Sequence, residues 1–147
     1  MSDISNFVTA LEAAQKKEKY TAEVQAAAEG IDVATLKAAV AAADAMGDTE
    51  TVGDEAQAAA LKAGFEFAVK VVMMLTSAPG PFEKKDLYVH FKVAKQEILE
   101  KPGMFDMVKK QLFGEWEKIK HFTPQKSQAI YIKHVNTLIG KYGTRDQ

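Results

Sequence analysis

Apolar positions recur at three- and four-residue spacing along most of the chain, and no stretch alternates with the period of a strand. Phe7, Val8, Leu11 and Ala14 predict a helix over 6–17, with Ser5 as its N-cap. A short helix is expected over 23–29, stopped by Gly30. Asp32 then caps a third over 33–46, whose Val33, Leu36, Val40 and Ala43 form one stripe ending at Gly47. These three helices are rich in alanine, which favours the helix but buries little area, so they need a partner surface.

The polar run Asp48–Gly53 reads as a linker, and Asp54 as the cap of a long helix over 55–75. Leu61, Phe65, Ala68, Val69, Val72 and Leu75 form its core face, and Met73 and Met74 read as packing residues. Ser77-Ala78-Pro79-Gly80-Pro81 breaks the pattern, with Pro81 suited to a first helical turn. The next helix is expected over 82–99, with Leu87, Tyr88, Phe91, Val93, Ala94 and Ile98 on a wide apolar face. Lys101-Pro102-Gly103-Met104-Phe105-Asp106 is a stiff turn that sets how the flanking helices face each other. A helix over 107–120 follows, with Leu112, Phe113, Trp116 and Ile119 inward. Thr123-Pro124 starts the last helix, which runs to Tyr142 and stops at Gly143. Its expected inward residues are Ala129, Ile132, Val135 and Leu138 with Ile139.

This pattern makes an all-α chain with an alanine-rich helical extension over 1–52 and a bundle over 53–147. The extension is expected to be dispensable for the bundle, or to serve as a docking segment for a protein partner. At 147 residues the chain can bury about 70% of its unfolded surface without covalent staples.

Candidate chemistry lies in the second half. Tyr88 and Phe91 stand at i, i+3, and Tyr88 and Lys92 at i, i+4, so a helix places a phenol, a ring and an ammonium on one face. Such a platform suits a nucleotide, with rings for stacking and an amine for phosphate. The spacing is equally that of an amphipathic core helix with a snorkelling lysine. His90, His121 and His134 have no metal-ligand spacing, and Glu115 and Glu117 point to different faces of one helix. No nucleophile–base signature is present, so the chain reads as a non-enzyme.

Charge sharpens this division. The net charge of −1 hides twelve acids against six basic residues up to residue 81, then thirteen basic residues against eight acids. An anionic partner is expected at the basic half. Nucleic acid is not expected, because the net charge is negative and no groove-reading motif occurs. The absence of cysteine excludes disulfides and thiolate metal sites and is compatible with a reducing compartment. No signal-peptide pattern opens the sequence and no apolar run is long enough for a membrane span, so a cytoplasmic location is the expectation.

From about Asp54 to Gly143 the sequence resembles the acyl-CoA-binding protein family. The blocks that carry the resemblance are Tyr88-Val89-His90-Phe91-Lys92, Lys101-Pro102-Gly103-Met104-Phe105-Asp106, Phe113 with Trp116, Tyr131-Ile132-Lys133-His134-Val135, and Lys141-Tyr142-Gly143. Phe65, Val72, Leu75 and Pro79 also fall at the family's spacing. The resemblance implies a four-helix bundle that holds a long-chain fatty acyl-CoA, with no cofactor. It implies adenine contact for Tyr131, phosphate pairing for Lys92 and a phenol hydrogen bond for Tyr88. Phe91 keeps the ring of the family's second tyrosine and loses its hydroxyl.

Other departures bear on the site. The family's phosphate-binding lysine before the first tryptophan is Leu112, and that tryptophan is Phe113. An apolar pair lining the acyl tunnel is replaced by Lys84 and Lys85, and a position often lysine is Met73. Lys95, Lys109 and Lys110 are candidates to restore the lost charge, with Lys110 placed in the ligand set beside Tyr88, Phe91, Lys92 and Tyr131. The expected function is an intracellular carrier of acyl-CoA. The alternative is a helical interaction module on the same scaffold with weakened or lost CoA binding.

Overall fold

The structure is a computed structural model that describes residues 3–147. Among the described residues seven α-helices follow one another: α1 Ser5–Gln15, α2 Ala22–Ala28, α3 Val33–Ala45, α4 Glu55–Val71, α5 Pro81–Ala94, α6 Met107–Ile119 and α7 Pro124–Tyr142. A single 3-10 turn, Val72–Met74, closes α4. No strand occurs among the described residues, only one isolated bridge between Leu75 and Thr144.

Most helix starts sit where the capping residues place them. The carboxylates of Asp32, Asp54 and Asp106 accept from the backbone N–H groups of Thr35, Gln57 and Lys109 at 2.9, 3.0 and 3.1 Å. Thr123 caps α7, with Pro124 at its first position. At α1 the expectation is shifted by one residue. Ser5 is already helical, Ile4 takes the cap position without a side-chain bond, and Asp3 accepts from the Ser5 N–H at 2.9 Å.

Helix ends differ more. The helix expected over 82–99 stops at Ala94, because Gln96 turns into the left-handed region at φ +59°. Gln96 N–H then donates to Val93 O at 3.0 Å and Glu97 N–H to Lys92 O at 2.8 Å, which together close a Schellman end. Lys17, at φ +58°, ends α1 in the same way, with Glu18 N–H bonded to Ala13 O at 3.0 Å.

Helix α7 is the central element, packing against α1, α3, α4 and α5. Helix α4 packs against α2, α3 and α7, while α6 rests mainly on α5. One hydrophobic core therefore runs from Phe7, Leu11, Leu36 and Val40 of the first three helices into Leu61, Phe65 and Phe67 of α4 and Ile132 and Val135 of α7. The Phe7 and Phe67 rings meet edge-on with centroids 5.6 Å apart. Gly64 makes the crossing possible. A Cβ there would come within 2.6 Å of Leu36 Cδ1 and 3.3 Å of Ile132 Cδ1.

The alanine-rich helices thus use their apolar faces on α4 and α7. Polar ties reinforce the seam. Asn136 Oδ1 accepts from the Phe7 N–H at 2.8 Å, and Lys126 Nζ donates to the carbonyls of Ala43 and Met46 near the end of α3 at 3.0 and 2.8 Å. Lys133 pairs with Asp44 at 2.6 Å, and Lys70 bonds Glu23. A lysine among free C-terminal carbonyls satisfies orphan acceptors and opposes the negative end of the helix dipole. The expectation of a dispensable extension meets this shared core, in which the first three helices cover the bundle's α4–α7 face.

A second, smaller cluster lies between α5 and α6. Val89, Val93 and Trp116 are buried there, with Leu99, Leu112, Phe113, Ile119 and Phe122 packed around them.

Candidate functional site

Helix α5 presents its residues in turns. Lys84, Tyr88 and Lys92 lie four apart on one line, and Phe91 is one turn on from Tyr88 and Leu87. Tyr88, Phe91 and Lys84 meet Tyr131 of α7, together with Val72 and Met73 of the 3-10 turn and Pro79 of the connection to α5, around a recess of about 290 Å3. The recess is a junction of three helices. Its floor is aromatic: Phe65 meets Phe91 with centroids 6.0 Å apart and meets Tyr131 edge-on at 5.1 Å.

The two tyrosines contribute differently. Tyr88 is 40% exposed, with part of its ring open to solvent. Tyr131 is only 4% exposed, and burial pushes its phenol up to about 12, so the hydroxyl stays protonated across the physiological range.

Lys92 stands beside Tyr88, with its ammonium 5.4 Å from the ring centroid. The same ammonium donates to Glu97 Oε1 at 2.7 Å. The bond to Glu97 raises the Lys92 pKa, with a further contribution from Tyr88, so the group is fully cationic at neutral pH. The early end of α5 is what brings Glu97 back to Lys92.

On the other side of Tyr88, between α5 and α6, lies a narrower cleft of about 180 Å3 lined by Tyr88, Leu99, Glu100, Lys109, Leu112 and Phe113. Tyr88 is the wall shared by the two recesses. Leu112, at the position expected to carry a lysine, faces this cleft and leans on the small cluster. Lys109 reaches the cleft and pairs with Asp106 at 3.8 Å.

The structure therefore brings together Tyr88, Phe91 and Tyr131 and sets Lys92 at their edge. Lys110 is exposed on α6 and lines neither recess. The cation in the aromatic recess is Lys84, which sequence reasoning took only as a loss of apolar lining. Its position one helical turn before Tyr88 was the signal that places it on the same face. Lys85 turns elsewhere, over the Phe82 ring at 4.9 Å and within 3.8 Å of Glu115.

No group of histidine, aspartate and glutamate side chains among the described residues is arranged to hold a metal ion. His90 is buried, its Nδ1 3.3 Å from Ser127 Oγ and its ring 5.7 Å from that of His134. Burial, with the adjacent His134, lowers its pKa to about 4, so it is neutral at physiological pH. It packs as a core residue behind the site. No helix among the described residues is long and apolar enough to cross a membrane.

Comparison with known proteins meets this segment of the chain. The family described as acyl CoA binding protein matches residues 62–135, which includes α5, α6 and most of α4 and α7. Acyl-CoA-binding protein homolog 1 of Caenorhabditis elegans is 33% identical over 81 residues, covering 54% of this chain and 94% of the relative. Acyl-CoA-binding protein of Saccharomyces cerevisiae is 33% identical over 82 residues, with the same coverage, and a Drosophila melanogaster homolog is 34% identical over 80 residues, or 53% and 93% of the two chains. No solved structure matches the chain. A family match that spans half the sequence, with relatives about one-third identical and covered over nearly their whole length, places this chain in the acyl-CoA-binding protein family.

Proposed function

We propose that the protein binds long-chain fatty acyl-CoA esters reversibly and carries them in the cytoplasm, without chemistry on the thioester. The observation that carries this reading is the convergence of Tyr88, Phe91, Tyr131 and Lys84 on one recess, with Lys92 at its rim. Flat rings and two ammonium groups within one helical face fit a phosphorylated nucleotide. Tyr88 supplies the accessible ring. Tyr131 closes the floor and offers a neutral hydroxyl. Lys84 and Lys92 meet the phosphates. The adjoining apolar cleft at Leu99, Leu112 and Phe113 takes the first part of the chain beyond the head group.

The second reading is a helical interaction module with weakened CoA binding. It is favoured by the Lys92–Glu97 pair, which a phosphate must displace, and by Leu112 at the expected lysine position. Calorimetric titration separates the two. A carrier gives one site that is tighter for palmitoyl-CoA than for CoA or palmitate alone. Equal affinity for palmitate and palmitoyl-CoA eliminates the nucleotide platform, and no binding of any of the three leaves the interaction module.

A further inference from the structure

Five of the eight large hydrophobic side chains that the described residues leave exposed lie within eleven residues: Ile98, Met104, Phe105, Met107 and Val108. Phe105 is 91% exposed. The segment is built to hold them out. Asp106 N–H donates to Gly103 O at 3.3 Å, which closes a turn with Met104 and Phe105 at its tip. Asp106 then caps α6, so Met107 and Val108 occupy its first turn and continue the same surface. Ordinary soluble surfaces scatter such residues singly, and a contiguous set marks a contact site.

The surrounding charge is basic. Lys95, Lys101 and Lys110 are exposed and have no ion-pair partner among the described residues. The nearby acids Glu97 and Asp106 are engaged by Lys92 and Lys109, which leaves Glu100 as the opposing charge. We propose that this face docks on an anionic lipid bilayer, with Met104 and Phe105 entering the boundary between head groups and acyl chains while Lys95, Lys101 and Lys110 meet the lipid phosphates. The hollow at this tip is open and shallow and is lined by residues 103–108 of a single segment, which gives a protein partner's side chains little shape to lock into. A bilayer takes up such a tip without shape complementarity, and apolar insertion and electrostatic attraction add. The surface is distinct from the aromatic recess, and docking requires no bound acyl-CoA.

The test is cosedimentation of the full chain, without acyl-CoA, with vesicles of phosphatidylcholine alone or with added phosphatidylserine. The protein is expected on the phosphatidylserine vesicles, with binding that falls as salt rises. The double variant Met104→Ser/Phe105→Ser should lower partitioning by about tenfold. Lys101→Glu should lower it by about fivefold or more. Both should keep the helical circular dichroism and the acyl-CoA titration curve of the parent. Absence of vesicle binding by the parent overturns the proposal, as does equal binding by the double variant. Self-association of the parent that the double variant loses, without vesicle binding, would reassign the face to a second copy of the chain.

Discussion

Lys92 donates to Glu97 at 2.7 Å, across the left-handed turn that ends α5. The ammonium that stands beside the Tyr88 ring is therefore already engaged by a carboxylate. On the proposed function, binding exchanges this carboxylate for a phosphate, and a partly exposed pair of this kind contributes about 0.2–1 kcal/mol. Lys92→Ala is expected to weaken acyl-CoA binding about ten- to a hundredfold, the loss of one charge-assisted contact. Glu97→Gln should strengthen it by a factor of about 1.4–5 by freeing the ammonium. Titration against acyl-CoA and against the ligand lacking its 3′-phosphate checks both. An equal Lys92→Ala effect on the two ligands would show that Lys92 does not read that phosphate.

Gln96 holds the turn that delivers Glu97, at a φ of +59°. A side chain in that region costs about 1 kcal/mol relative to glycine. Gln96→Gly is expected to raise the stability of the chain by up to that amount while leaving the Lys92–Glu97 pair in place. Urea unfolding gives the stability, and an unchanged acyl-CoA affinity gives the second half of the prediction. Lower stability would mean that the Gln96 side chain makes a contribution larger than its backbone cost.

The first three helices cover the α4–α7 face, so removing them should expose it. A chain beginning near Thr51 would uncover the Phe67 ring and the Gly64 crossing, and is expected to lose its cooperative thermal transition. Phe7→Ala in the full chain, which empties a fully buried site against Phe67, should cost about 3–5 kcal/mol in urea unfolding. Gly64→Val should also destabilise, because its added carbons meet Leu36 and Ile132. A shortened chain that melts at the parent temperature would mean that the bundle does not need the extension.

Glu83 ties the start of α5 to the end of α7. Its carboxylate accepts from Tyr142 Oη at 2.6 Å, from the Gly80 N–H at 2.8 Å and from Lys141 Nζ at 2.9 Å. These bonds, the Tyr142 one foremost, lower its pKa from 4.5 to about 2. The folded state binds this proton less readily than the unfolded one. The resulting stabilisation is complete above about pH 4.5 and is lost as pH falls toward about 2. Melting temperatures over this range should fall with acid, and more shallowly for Tyr142→Phe than for the parent. Parallel curves would show that the Tyr142 bond is not what lowers the carboxyl.

Much of the secondary structure was legible in the sequence because its determinants are local. Asp32, Asp54 and Thr123 cap the helices they precede, since a short polar side chain before an apolar run can reach the first free N–H groups. Tyr88, Phe91 and Lys92 share one side of α5 by helical spacing alone. The two ends missed, at Lys17 and Gln96, lack the glycine that signals a left-handed residue. What the tertiary structure decided is non-local. Small alanine faces do not specify which surface they will cover, and only packing joined them to α4 and α7. Spacing set Tyr131 to one side of α7, whereas the Phe65 ring and the recess made it a buried floor. Lys84 became the recess cation, and Lys110 faced solvent, because helix rotation against a neighbour, rather than residue type, determines which ammonium lines a recess and which meets water.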